Sequence, residues 1–188
     1  MTEDPSSFSE FPRWSRSQRR IGLTGGIASG KSSVGSYLSK VKELPILDAD
    51  VYSREILSTN NTLIKAVLSR YGTSVQIPNV DTLYSIDRKK LGNIIFGNPV
   101  ERLWIEELIH PYVIQKFLDE LKIYEDIPIV VLIIPLLFEI RLTSMCSEIW
   151  LVDCDLDQQF QRLITRDGFT YNQAYDQTLS LLLHKHAV

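Results

Sequence analysis

Apolar positions along the chain fall into two kinds of run. Short ones occur at Arg20-Ile21-Gly22-Leu23-Thr24, Pro45-Ile46-Leu47-Asp48, Ile129-Val130-Val131-Leu132-Ile133-Ile134 and Glu148-Ile149-Trp150-Leu151-Val152-Asp153. Each reads as a strand. The third is β-branched and apolar without alternation, the pattern of a strand covered on both faces in a parallel sheet. Between them apolar residues recur at helical offsets: Val34, Leu38 and Val41, then Tyr52, Ile56 and Leu57 after Asp50, then Leu156, Phe160, Leu163 and Ile164 behind a capping Asp155. Thr170 begins a further helical stretch. Strands alternating with helices predict an α/β fold with a doubly wound parallel sheet.

One long segment breaks the alternation. From Asn60 to Asp126 the spacing is helical throughout, as in Leu63, Ile64, Val67 and Leu68, in Leu91, Ile94 and Ile95, and in Leu103, Leu108 and Ile109. A helical insertion at about 60–126 is expected, interrupting a core at about 19–59 and 127–169. Asn98-Pro99 starts its longest helix, and His110-Pro111 is expected to interrupt or kink that helix, because proline lacks the backbone donor. Residues 1–18 read as a mobile tail without a secretory signal, and 19–188 as one domain.

Charge narrows the partners. Twenty Lys and Arg against 23 Asp and Glu give a net charge of -3, so no global positive field exists to hold a nucleic acid. The longest apolar run, Ile127 to Phe138, is too short to span a membrane and contains Pro128 and Pro135. Cys146 and Cys154 match no zinc spacing and are too few for a disulfide framework, so two buried, reduced thiols in a cytoplasmic protein are expected. His184 and His186 lack further ligands and read as surface residues.

The chemistry lies where the first strand meets the first helix. Gly25-Gly26-Ile27-Ala28-Ser29-Gly30-Lys31-Ser32 matches GxxxxGK[ST] at every fixed position, in the strand–loop–helix setting of a phosphate-binding loop. Gly25 and Gly30 permit backbone angles that aim N–H groups inward, Lys31 reaches the β- and γ-phosphates, and the Ser32 hydroxyl is an oxygen ligand for Mg²⁺. The DxxG and NKxD segments of a GTPase are absent, so a small-molecule kinase is favoured.

Such a kinase needs an acceptor carboxylate and cations for the migrating phosphoryl group. Asp50, in Asp48-Ala49-Asp50 at the carboxyl end of the second strand, is either the base that deprotonates an acceptor hydroxyl or the cap of the next helix; Asp48 is structural or touches the metal's water shell. Arg162 and Arg166, four apart on one helix, either grip phosphate oxygens or form an exposed charged face. Asp167-Gly168 suggests a turn at which the segment beyond could close as a lid.

Together these residues resemble the dephospho-CoA kinase family. The resemblance rests on Leu23 to Ser32, Asp48-Ala49-Asp50, Arg54, Asp87-Arg88 with Leu91, Phe96 and Pro99, His110-Pro111, Pro135-Leu136-Leu137-Phe138-Glu139, and Gln161-Arg162-Leu163 with Arg166-Asp167-Gly168, in order from about Ile21 to Ala174. It implies transfer of the γ-phosphoryl group of ATP, with Mg²⁺, to the ribose 3′-hydroxyl of dephospho-CoA, giving CoA and ADP. It places Asp50 as base, Gly26 to Ser33 as the ATP loop, and Arg54, His110 and Leu136 on the acceptor side. The insertion becomes the acceptor domain, and Arg162 or Arg166 belongs to the lid, at about 166–188. On residue type alone, His110 reads equally well as structural. The chain departs from the family after the lid: Thr178 to Val188 replace a further strand and closing helix, so the last sheet strand is expected to be missing. That leaves an inactive nucleotide-binding relative, or another small-molecule kinase, as alternative readings; oligomeric state is not legible.

Overall fold

The computed structural model describes residues 17–77, 85–96, 98–167, 170–171 and 175, without the side chains of Phe96, Arg166 and Asp167. The chain divides into two compact units, Met1–Asp48 with Tyr124–Val188, and Ala49–Ile123.

The first unit is built on four parallel strands, β1 (Arg19–Gly25), β2 (Ile46–Asp48), β3 (Ile129–Ile133) and β4 (Glu148–Val152), in the order β2-β3-β1-β4. The two strands richest in buried side chains take the centre. Leu23 stands level with Ile133 on one side and Trp150 on the other. Helix α1 (Lys31–Lys42) lies on the face formed by Ile21, Leu23, Val131 and Ile133, into which Leu38 packs. The helix comes so close that a Cβ at Gly35 would stand 2.5 Å from Ile133 Cδ1. On the opposite face Leu137 and Cys146 crowd Gly22, and burial pushes the Cys146 thiol up to about 11. Helix α6 (Leu156–Asp167) follows β4.

Several details differ from the sequence expectation. Val41, assigned to the inward face of α1, is 58% exposed, because Gly35 and Leu38 occupy the contact. In α6 Leu156 is exposed at the first position, and the inward face is carried by Leu163 and Gln159. Gln18, placed in the tail, is buried; its Nε2 donates to the carbonyls of Tyr124 and Ile127 at 2.6 and 2.9 Å.

The second unit is helical: α2 (Ala49–Thr59), α3 (Asn61–Tyr71), α4 (Arg88–Phe96) and α5 (Pro99–Ile123). Asn60 caps α3 by accepting from the Thr62 and Leu63 amides, and Asn98 caps α5 the same way through Val100 and Glu101. Helix α5 buries Ile105, Ile109, Val113, Phe117 and Leu121, a stripe at intervals of four. It runs through Pro111 without interruption. Pro111 is exposed, on the side away from the buried stripe, and that stripe holds the helix together. Leu103, counted as apolar spacing, is 54% exposed. Tyr52 of α2 meets Phe117 edge-to-face at 5.2 Å. Arg70 of α3 grips Glu101 of α5 through two hydrogen bonds and stacks its guanidinium over Trp104 at 4.5 Å; with the Tyr71 hydroxyl it holds the Glu101 carboxyl down at about 2.

Candidate functional site

The loop between β1 and α1 has the backbone that its glycines allow. Gly25 sits at φ 154°, where a Cβ would stand 2.1 Å from the Val152 carbonyl oxygen of β4. Gly30 sits at φ 113° as the N-cap of α1, an angle that costs a side-chain-bearing residue strain. Ala28, a residue with a side chain, takes φ 53° in the same loop. From Gly30 the chain turns into helix: the Ser33 and Val34 amides donate to its carbonyl at 2.9 and 3.1 Å. The positive end of α1 therefore opens onto the loop, with Lys31 as its first residue.

Lys31 is folded onto its own loop. Its Nζ donates to the Gly25 and Gly26 carbonyls at 2.9 and 2.7 Å. Ser32 and Ser33 are exposed on the first turn of α1, whereas Ser29 is buried, its hydroxyl without a hydrogen-bond partner among the described residues. Gly26 and Ile27 complete the loop, both half-buried.

Helix α6 supplies the loop's outer wall. Arg162 Nη1 donates to the Ala28 and Ser29 carbonyls at 3.0 Å each and lies 3.4 Å from Cys154 Sγ. One turn earlier Gln159, 7% exposed, lays its side-chain amide against Gly26. Gln159 is not legible from the apolar pattern, because that pattern gives inward faces to hydrophobic residues. Its spacing of four before Leu163 was the available signal. Arg166 lies on α6, its side chain outside the described residues, as do most of the expected lid, Gly168, His184 and His186.

The remaining predicted residues divide between the units. Asp48 ends β2, level with Ile133. Pro135 accepts from the Thr24 hydroxyl at 3.1 Å just past β3, and the carbonyl of half-buried Leu136 accepts from the Ile140 amide. Asp50, Arg54 and His110 belong to the helical unit. Asp50 is exposed inside the first turn of α2 rather than ahead of it as a cap, and Arg54 Nε donates to its backbone carbonyl at 2.9 Å. His110 is half-buried on α5; burial pushes its imidazole down against the opposing pull of Glu106 and Glu107.

A Mg²⁺ ion is compatible with this donor set. Among the described residues no three His, Cys, Asp or Glu side chains form a metal cage. The exposed Ser32 hydroxyl, on the first turn of α1, and the Asp48 carboxylate, at the carboxyl end of β2, are hard oxygen donors. They suit a cation that keeps water and phosphate as its other ligands. Among the described residues no helix is long and apolar enough to cross a membrane.

Comparison with known proteins adds the family. A family model described as Dephospho-CoA kinase matches residues 19–183. The chain is 47% identical over 169 residues to a dephospho-CoA kinase of Prochlorococcus marinus, covering 90% of this chain and 80% of the relative. It is 54% identical over 162 residues to the dephospho-CoA kinase of another strain of that organism, MIT 9313, covering 86% and 79%. A solved structure from Thermus thermophilus superposes with a TM-score of 0.69 at 26% identity, covering 88% of this chain and 81% of that one.

Proposed function

The chain belongs to the dephospho-CoA kinase family, and from that premise we propose how its own residues carry the reaction. The family catalyses the final step of CoA biosynthesis, a phosphoryl transfer to an alcohol, and the chain is a kinase of that class. The substrates are ATP and dephospho-CoA. The observation that supports the residue roles best is the docking of Lys31 onto the carbonyls of its own loop, at the mouth of α1.

When ATP enters, the loop amides take the β-phosphate and Lys31 exchanges the Gly25 and Gly26 carbonyls for β- and γ-phosphate oxygens. Arg162, already against the loop, neutralises charge on the migrating group. Asp50 accepts the proton of the ribose 3′-hydroxyl as the new O–P bond forms and the bond to the departing ADP breaks. Arg54, His110 and, through its main chain, Leu136 contact the acceptor, and the helical insertion at about 60–126 is the acceptor-binding part. Ser32 and Asp48 would hold Mg²⁺, which when bound would screen the phosphate charge. We place the reaction in the cytoplasm, where ATP is available and the two free cysteines stay reduced.

The test is a coupled ADP assay on the wild type, Lys31→Met and Asp50→Asn, with dephospho-CoA, adenosine monophosphate or no acceptor. ADP release should require dephospho-CoA and vanish in Lys31→Met. Asp50→Asn should lower kcat by roughly 10²-fold or more with ATP affinity unchanged. Equal turnover with adenosine monophosphate overturns the acceptor, and an unchanged kcat in Asp50→Asn removes it as base.

A further inference from the structure

Among the described residues, Gln159 is the buried polar side chain of α6, and it faces the phosphate loop. Its Nε2 donates to the Cys154 carbonyl at 3.1 Å, which fixes the amide at the junction of β4 and α6. A Cβ built at Gly26 would stand 3.5 Å from both Nε2 and Oε1 and 3.8 Å from Cδ. Near-equal distances to both ends, with Cδ farther, mean that the amide turns its N–O edge toward the space a side chain at Gly26 would occupy. Gly26 also ties the loop to Lys31: its carbonyl accepts from Lys31 Nζ at 2.7 Å and from the Ser29 amide at 3.3 Å. Arg162, three residues on and hence on the same side of α6, holds the Ala28 and Ser29 carbonyls.

We propose that Gln159 is a positioning residue for ATP, acting through Gly26: its neutral amide, pinned to Cys154, braces the loop so that the phosphate-binding amides and Lys31 are already aligned when ATP arrives. The chemistry explains the residue type. A neutral amide can donate to the Cys154 carbonyl while its edge fills the space that Gly26, without a Cβ, leaves beside the loop. A leucine fills similar space but leaves that carbonyl without the side-chain donor. A glutamate loses the donor and sets a negative charge beside the loop that receives a polyphosphate. A brace of this kind acts on ATP and leaves the acceptor alone.

The inference rests on the loop being the ATP site, and the experiment separates the two. ATP binding with Mg²⁺ is measured by calorimetry, and KM for ATP and for dephospho-CoA by the coupled assay, on the wild type, Gln159→Leu, Gln159→Glu and the exposed control Gln161→Leu, each with a thermal melt. Gln159→Leu should raise KM for ATP about five- to tenfold, the scale of one lost hydrogen bond with its packing, leaving KM for dephospho-CoA and the melting temperature close to wild type. Gln159→Glu should raise KM for ATP further, with the excess shrinking as salt is added. Gln161→Leu should behave as wild type. An unchanged KM for ATP in both Gln159 variants overturns the proposal. So does a parallel rise in both KM values with a fall in melting temperature, which makes Gln159 a core residue only. Wild-type protein that takes up no ATP overturns the phosphate-loop reading itself.

Discussion

Val130, Val131 and Leu132 of β3 are wholly enclosed, whereas Ile149, Trp150 and Leu151 of β4 keep 37%, 37% and 64% of their surface open. Both strands are parallel partners of β1, and both are almost entirely apolar. The difference is in what surrounds them. β3 has β2 and β1 on its two sides, α1 against one face, and the segment through Leu137 on the other side of the sheet. β4 pairs, among the described residues, with β1 alone. An apolar run thus states that a strand is suited to burial, while its place in the sheet decides whether burial happens.

Substitutions sharpen that contrast. Leu132→Ala should lose about 3 kcal/mol in urea denaturation, since a fully enclosed leucine leaves a cavity its neighbours cannot fill; a loss under about 1 kcal/mol would put β3 on a par with β4. A much smaller effect is expected at the rim. Glu148 of β4 takes two hydrogen bonds from the Arg19 guanidinium of β1, and chiefly that contact holds its carboxyl below the usual range. The pair is solvent-exposed, so at pH 7 Glu148→Gln should cost only a small fraction of what Leu132→Ala costs. A depressed carboxyl contributes stability above its ordinary value and loses it as pH falls through the folded one. Wild type and Glu148→Gln should therefore converge as urea midpoints are followed from about pH 7 towards about pH 3. A gap that widens on acidification would contradict the assignment. The smallest effect belongs to Leu151→Thr, within about 0.5 kcal/mol of wild type because the side chain is already largely in water; a loss like that of Leu132→Ala would mean that β4 is covered after all.

The legible parts share a scale. The loop from Gly25 to Ser32 could be read because its chemistry is packed into consecutive residues, and the structure gives Gly25 and Gly30 the positive φ angles their identity suggested. Strand positions came within a residue or two, since the apolar runs are short and bounded. Pro111 does not end the helix because a proline rule is local, whereas the stripe from Ile105 to Leu121 that carries α5 past it spans several turns. Val41 shows the same limit: helical spacing marks a face, but the close approach at Gly35 decides where along that face contact ends.

By itself, then, the order of residues determined the phosphate loop, the alternation of strands and helices, and the helical character of the two segments carrying Arg54 and His110. These follow from backbone angles and side-chain periods set within a few neighbouring positions. Only tertiary structure decided that β4 is open, that Arg162 rests on loop carbonyls, and that Gln159, far along the chain from Gly26, lies close to it. Burial and contact of that kind depend on which distant elements meet, and no local pattern encodes the meeting.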